Sequence, residues 1–427
     1  MGKISRAALI TALGLGAGRV IGFGREVFVA MLFGLTQQMD VYAITFVLVG
    51  IPGAIIINSL QAALVPAMSK TEGVDKSRIL SGSICVAFCA LSLGAIVLIY
   101  WIDDLIRWMR TSSDLDMVRQ AQQLVLMFLP YYFFNAFSQL GYGGFQAAKQ
   151  FRNNAFLPLV SPLVAMLALV FFYEKGNVLI VALAVSLGAF VEFVFVVVVL
   201  SRGGLYCLRY LNLFSTNNKN LLSTAGFLIP GGLVLASMPF LEQVFASEVG
   251  DGANAALAFG QRLPSALNGL LASSVGIAVL PFFSDVVAQT GSQSLSKSLA
   301  RYTLKIFFGA LVVAVILAVS SPWIVWALYE RGQFDSTATA LVASVQAAYF
   351  LQLPGMIVGQ IYTRAAIAQG KSGWLSILTF ATVFIQIALA WFLVLKIGVP
   401  GVGFAAAAAS ALNAYALRHL VMLAKDT

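Results

Sequence analysis

Apolar stretches of about 20 residues, the length that carries a helix across a bilayer, recur along this chain and leave little between them. They fall near 7–33, 41–68, 79–101, 121–148, 156–173, 178–200, 221–246, 253–283, 302–328, 338–368, 374–396 and 400–423. The pattern predicts an all-α polytopic membrane protein of about twelve transmembrane helices. The longest polar intervals lie near 102–120 and 201–220, too short for a separate soluble domain. The first of them mixes Asp, Arg, Trp and Met and reads as a solvated loop or a surface-lying helix. Lys3 and Arg6 ahead of an apolar run imitate a secretory signal, but the run continues to about Phe33. It therefore reads as a first retained span.

Composition fits this class. Of 427 residues, 60% are hydrophobic and 10% charged, with a mean hydropathy of +0.91, against about 25% charged in soluble domains. With the N-terminus inside, sixteen Lys and Arg fall on the cytoplasmic side, among them Lys70, Lys76, Arg78, Lys149 and Arg152. Only Arg107, Arg110, Arg119, Lys175, Arg331 and Lys396 fall outside. This bias follows the positive-inside rule and places both termini in the cytoplasm.

A weak internal repeat divides the chain. IPGAIIINSLQAALVPAMS, with Pro52, Pro66 and Ser69, is echoed by LPSALNGLLASSVGIAVLPFFS, with Pro264, Pro281 and Ser284. Tyr142 and Ala148 before Lys149 are echoed by Tyr362 and Ala368 before Lys371. Repeats of this kind are common in transporters. They imply a six-helix N-lobe over 1–200, a basic cytoplasmic linker over 201–220 and a six-helix C-lobe over 221–427, with a substrate crevice between the lobes.

Charge inside the spans supplies the candidate chemistry. Arg19, Arg25, Arg262 and Arg364 sit in lipid-soluble stretches, and a guanidinium near the bilayer centre costs about 2.5–3.5 kcal/mol on lenient scales. The acids at similar depth are Glu26, Glu192 and Glu242, one fewer than the arginines, so the interior is expected to be cationic and to take an anion. Arg19 and Glu26, seven residues apart, share a helix face to within about 20°. Arg25 lies about a third of a turn off that face, so Glu26 is expected to offset Arg19 and leave Arg25 for a ligand or for snorkelling toward Gly34. Arg262 precedes Pro264, which is expected to interrupt its helix. Arg364, near the cytoplasmic end of the tenth span, is expected to snorkel. Glu192 and Glu242 read as counter-charges for these arginines, with proton or cation coupling as the other role.

Other residue types narrow the field. Gly14, Gly18 and Gly22 recur every fourth residue in the first span, a small-residue face for close helix packing. They do not match G-x-G-x-x-G after a strand, so no dinucleotide site is indicated. Cys85, Cys89 and Cys207 read as buried small hydrophobes. With His419 the single histidine, neither a histidine metal site nor a catalytic relay is indicated. No catalytic residue, metal or cofactor is expected.

Several motifs resemble those of the MviN/MurJ family, lipid flippases of the multidrug/oligosaccharidyl-lipid/polysaccharide exporter superfamily. GRVIGFGREVFVAMLFG is similar to that family's first-span signature, and Asp40 in QQMDVYAITF to the acidic segment after it. LVPAMS, ALAFGQRLPSALNGLLASSVGIAVLPFFS and LYERGQFDSTAT resemble three further family segments. The resemblance implies two six-helix lobes around a central cationic cavity. It also implies that Arg19, Arg25 and Arg262 bind substrate and that Asp40 is functional, which sets Asp40 beside Glu26, Glu192 and Glu242 as a coupling or counter-charge candidate. The implied activity is alternating-access translocation of a polyprenyl-diphosphate-linked saccharide across the bacterial inner membrane. Partners would be that glycan, membrane lipids and envelope glycan-synthesis proteins, with no nucleic acid.

The chain departs from the family where GAIIINSLQAA follows Ile51-Pro52 without the usual Arg-Arg pair, where Glu26 replaces an Asp, and where Gln261 replaces the Asp before Arg262. It also counts about twelve spans, two fewer than the lipid II flippases, so an exopolysaccharide unit stands beside lipid II as cargo. A cation- or proton-coupled drug antiporter would share the fold but should be dominated by acids. A membrane-embedded glycan polymerase would need a catalytic group beside a sizeable outer loop.

Overall fold

The computed structural model describes residues 3–71, 73–109, 115–172, 177–206, 216–290, 292–369 and 371–422. All regular structure among them is helical. Each expected span is met by one helix or by a broken pair. The first unit holds α1 (Lys3–Phe33), α2 (Gln37–Ser69), α3 (Val74–Met109), α4 (Leu115–Ala147), α5 (Phe151–Phe156), α6 (Val160–Phe172) and α7 (Leu179–Arg202). The second is built from α9 (Ala253–Thr290), α10 (Ser292–Tyr329), α11 (Ser336–Phe350), α12 (Leu353–Ala368), α13 (Ser372–Ile397) and α14 (Pro400–Met422). Between them, α8 (Thr216–Ser247) carries the division, because the chain packs as Met1–Phe240 and Leu241–Thr427. Part of the expected linker, 207–215, lies outside the described residues.

Nine spans among the described residues are long and apolar enough to cross a membrane, so this is a multi-pass membrane protein. Their outward faces carry large apolar side chains, as lipid contact requires: Ile316, Val319, Trp323 and Trp326 on α10 and Phe384, Trp391 and Leu395 on α13 are all exposed. Prolines do not end these helices. Pro52 and Pro66 lie within α2, Pro130 within α4, and α9 continues through Pro264. The expected interruption at Pro264 is thus corrected, since neighbouring helices can satisfy a carbonyl freed by proline.

The fifth and tenth spans do break. Leu157–Leu159 forms a 3-10 turn with Pro158 between α5 and α6, and Leu351 and Gln352 separate α11 from α12 just ahead of Pro354. Of the two readings of 102–120, loop or helix, the described residues are helical, as continuations of α3 and α4. Ile102 and Ile106, one turn apart, are buried, and Trp108 stacks on Phe240 with centroids 6.3 Å apart. That apolar stripe prolongs α3 to Met109.

Within the first unit, α4 packs against α2 and α7, α6 against α7, and α1 against α5 and α6. Two of the three glycines on the small-residue face of α1 serve that packing, for a Cβ on Gly14 would meet Ala155 at 2.7 Å and one on Gly18 would meet Leu159 at 3.3 Å, whereas one on Gly22 would meet nothing within 4 Å. In the second unit α14 joins α11, α12 and α13, while α9 packs on α11 and α12. Asp335 caps α11 by accepting the Ala338 N–H at 2.8 Å and the Thr337 hydroxyl at 2.7 Å. The Ala338 backbone bond, then the Thr337 hydroxyl bond, holds this loop carboxylate below its ordinary range.

Candidate functional site

Arg25 and Glu26 are neighbours on α1, and their long side chains fold toward each other into an ion pair. The Arg25 side chain is 15% exposed and that of Glu26 7%. Arg25 is therefore turned into its unit rather than snorkelled to the interface. The expectation that Glu26 serves Arg19 instead falls on an Arg19 side chain outside the described residues. Adjacent positions are about 100° apart on a helix, an offset that two flexible side chains can bridge.

Around Arg25 stand aromatic residues from α2 and α4. Tyr42 and Tyr131 lie within electrostatic reach of its guanidinium. Tyr42 stacks on Phe46 at 6.1 Å, Tyr42 and Phe46 both meet Phe128, and Phe46 meets Tyr131 at 5.5 Å. The ring cluster fixes α2 against α4 beside the charge. Asp40, in the first turn of α2, is fully buried, where a helix N-terminus favours negative charge.

The two remaining candidate acids are held by neutral groups. Gly188 lets α7 close on Ser161, where any Cβ would strike the Ser161 carbonyl. One turn further on, Glu192 accepts the backbone N–H of Ser161 in the first turn of α6 and, at 2.5 Å, the Tyr142 hydroxyl. It therefore satisfies a donor that a helix start leaves open. Glu242 on α8 accepts Gln261 Nε2 at 2.7 Å and Gln386 Nε2 at 3.0 Å, with the Tyr349 hydroxyl also bonded to it. Gln261 also donates to Tyr349 at 2.5 Å. Neither Glu192 nor Glu242 has an arginine partner among the described residues. Burial without a cation is the setting of intramembrane acids that handle protons or ions.

Arg262 follows Gln261 on α9 and is part-buried, with its Nε enclosed. Arg364 on α12 is likewise part-buried, its Nε enclosed without a hydrogen-bond partner among the described residues. Each unit thus supplies an intramembrane arginine to its own interior. No group of three or more His, Cys, Asp or Glu suited to a metal occurs among the described residues.

Reasoning from charge passed over one feature. A pocket of about 370 Å³ opens between α2 and α4 and is lined by Asn58, Tyr131, Tyr132, Asn135 and Gln139. The available signal was the run of neutral polar residues at four-residue spacing inside an otherwise apolar span.

Helical throughout its described residues, with arginines and acids enclosed in its spans, the chain falls in the class of multi-pass membrane proteins with charged interiors. The sequence profile of the lipid II flippase MurJ family matches residues 29–426, and the chain belongs to that family. It is similar to a probable lipid II flippase MurJ of Rhizobium tropici, 26% identical over 355 residues, which are 80% of this chain and 66% of the relative. The chain thus spans just under two thirds of that relative's length. In fold it is similar to a lipid II flippase MurJ in an inward closed conformation, with a TM-score of 0.81 and 19% identity over 97% of this chain and 87% of the other. It is also similar to an inward-facing multidrug resistance MATE family transporter of the MOP superfamily, with a TM-score of 0.76, 15% identity and coverage of 96% and 97%.

Proposed function

We propose that this protein is a transporter that carries lipid II, or a closely related polyprenyl-diphosphate-linked saccharide, from the inner to the outer leaflet of a bacterial cytoplasmic membrane. The family match over residues 29–426 carries the reading. The chemistry of the spans supports it: a diphosphate suits the forked donors of guanidinium groups, and Arg19, Arg25 and Arg262 are the residues assigned to it. Glu26 orients Arg25. Asp40 and Glu242 are assigned to coupling, Glu242 through uptake and release of a proton among its neutral partners. Glu192, occupied at the start of α6, is assigned to positioning. The units alternate access without covalent chemistry, and the membrane potential, worth about 2.3 kcal/mol per charge per 100 mV, can contribute to resetting. Both termini lie in the cytoplasm, where envelope glycan-synthesis proteins would deliver the cargo.

The test is translocation of fluorescent lipid II in proteoliposomes, read by access of a quencher to each leaflet. Protein-dependent translocation is expected, reduced tenfold or more by Arg25→Ala or Arg262→Ala and partly kept by Arg25→Lys. Unchanged translocation in well-folded arginine variants would falsify the assignment of the site. Transport of lipophilic cations with no movement of lipid II would replace the flippase by a drug antiporter.

A further inference from the structure

The pocket between α2 and α4 has a composition that neither the arginines nor the acids explain. Tyr131, Asn135 and Gln139 follow one another at four-residue spacing and so share a face of α4, and Asn58 of α2 lies across the pocket from them. Asn58 and Gln139 are exposed on the first unit and Asn135 partly so. Their side-chain amides have no protein hydrogen-bond partner among the described residues. A carboxamide turned to lipid loses its hydrogen bonds with nothing in return, so this face meets water or a ligand.

The backbone is opened at the same place. Pro52 has no N–H, and the Leu48 carbonyl one turn earlier loses its usual donor, next to the pocket residue Val49. Gly50 and Gly53 leave that stretch of α2 bare, and a Cβ on Gly53 would come within 3.2 Å of the Tyr132 ring. Tyr132 is held in place by its hydroxyl, which donates to the Leu91 carbonyl at 3.2 Å. Tyr131 lines the pocket and also lies within electrostatic reach of Arg25. The pocket is thus adjacent to the proposed diphosphate arginine and within the same unit.

The lining selects the ligand class. No charged side chain occurs among the lining residues, which disfavours a phosphate or a metal ion, and the three amides disfavour a prenyl tail. Carboxamides donate and accept at once, as neighbouring sugar hydroxyls do, and tyrosine rings offer apolar faces to sugar C–H groups. The volume of about 370 Å³ lies within the ~300–1,000 Å³ range of small-ligand sites. We infer that the α2–α4 pocket is a subsite for the uncharged, hydroxyl-rich saccharide of the cargo, with Asn58, Asn135 and Gln139 bonding its hydroxyls and Tyr131 and Tyr132 packing on its rings. This inference rests on the flippase reading above.

The experiment compares two probes on the full chain in detergent: lipid II, and the same polyprenyl diphosphate without sugars. Binding is read by native mass spectrometry for wild type, Asn135→Ala and Gln139→Ala, with thermal unfolding as the folding control. Gln139 is exposed, so its truncation leaves the packing intact. A lost neutral hydrogen bond is expected to weaken lipid II about fivefold to tenfold per variant and to leave the sugarless lipid unchanged. Equal weakening of both lipids, or no change in either, overturns the subsite. Wild type that binds the sugarless lipid as tightly as lipid II also overturns it, while the flippase reading stands. Wild type that binds neither lipid overturns the flippase reading and the subsite with it.

Discussion

Arg25 and Glu26 pair with little of either side chain exposed, and each lowers the cost of burying the other. Breaking such a pair from one side leaves a charge enclosed, at about 3–5 kcal/mol. Arg25→Ala is therefore expected to lower stability in detergent by about 3 kcal/mol, whereas Arg25→Ala with Glu26→Gln recovers much of that loss. Unfolding midpoints across the double-mutant cycle check this; strict additivity would show that the pair is not coupled. Glu242→Gln keeps the volume of its side chain but cannot release a proton. It is expected to remove the pH dependence of transport while preserving the fold. A pH profile unchanged from wild type would take Glu242 out of coupling and leave it as a polar joint between helices.

Helices in this protein approach one another where glycine permits, and the approach sets side-chain positions nearby. A Cβ at Gly260 would lie 2.6 Å from Val345 Cγ1, so a side chain there drives α9 from α11 and pulls Gln261 away from Tyr349. Gly260→Ala is expected to cost about 1–3 kcal/mol, as overpacking usually does. Gly359, which meets nothing within 4 Å, should tolerate alanine or gain up to about 1 kcal/mol from helix propensity. Thermal unfolding of both variants separates the cases, and equal effects would show that the α9–α11 contact is not tight. The same close approach of helices sets the surroundings of Glu192. Its partner is the Ser161 N–H at the start of α6, and only the close crossing at Gly188 brings that donor to it.

For the molecule as a whole, the bias of lysine and arginine gives an orientation that can be tested directly. Reporter fusions after Thr427 and after Glu174 are expected to report cytoplasm and exterior respectively; a shared compartment would rule out six spans in the N-lobe. The span count comes from the apolar runs, and the charge bias is read from the loops that those runs leave. Two of the twelve spans proved to be broken pairs, and both breaks hold a proline within two residues of the bend, at Pro158 and Pro354. Proline alone did not foretell them, for α2, α4 and α9 run through theirs.

What the sequence by itself determined is whatever depends on one segment at a time: twelve apolar runs of membrane length, the small residues of α1, and the positions of Arg25, Arg262, Glu192 and Glu242 within those runs. Hydrophobic transfer acts on each run locally, so no knowledge of neighbours is needed. The tertiary structure decided the partners. Glu26 turned to Arg25, Glu192 to Tyr142 and Ser161, and Glu242 to Gln261, Gln386 and Tyr349. The α2–α4 pocket arose from Asn58 and Asn135, residues 77 positions apart. Such pairings depend on which helix faces meet, and small residues and proline bends set those faces at distances the one-dimensional pattern does not encode.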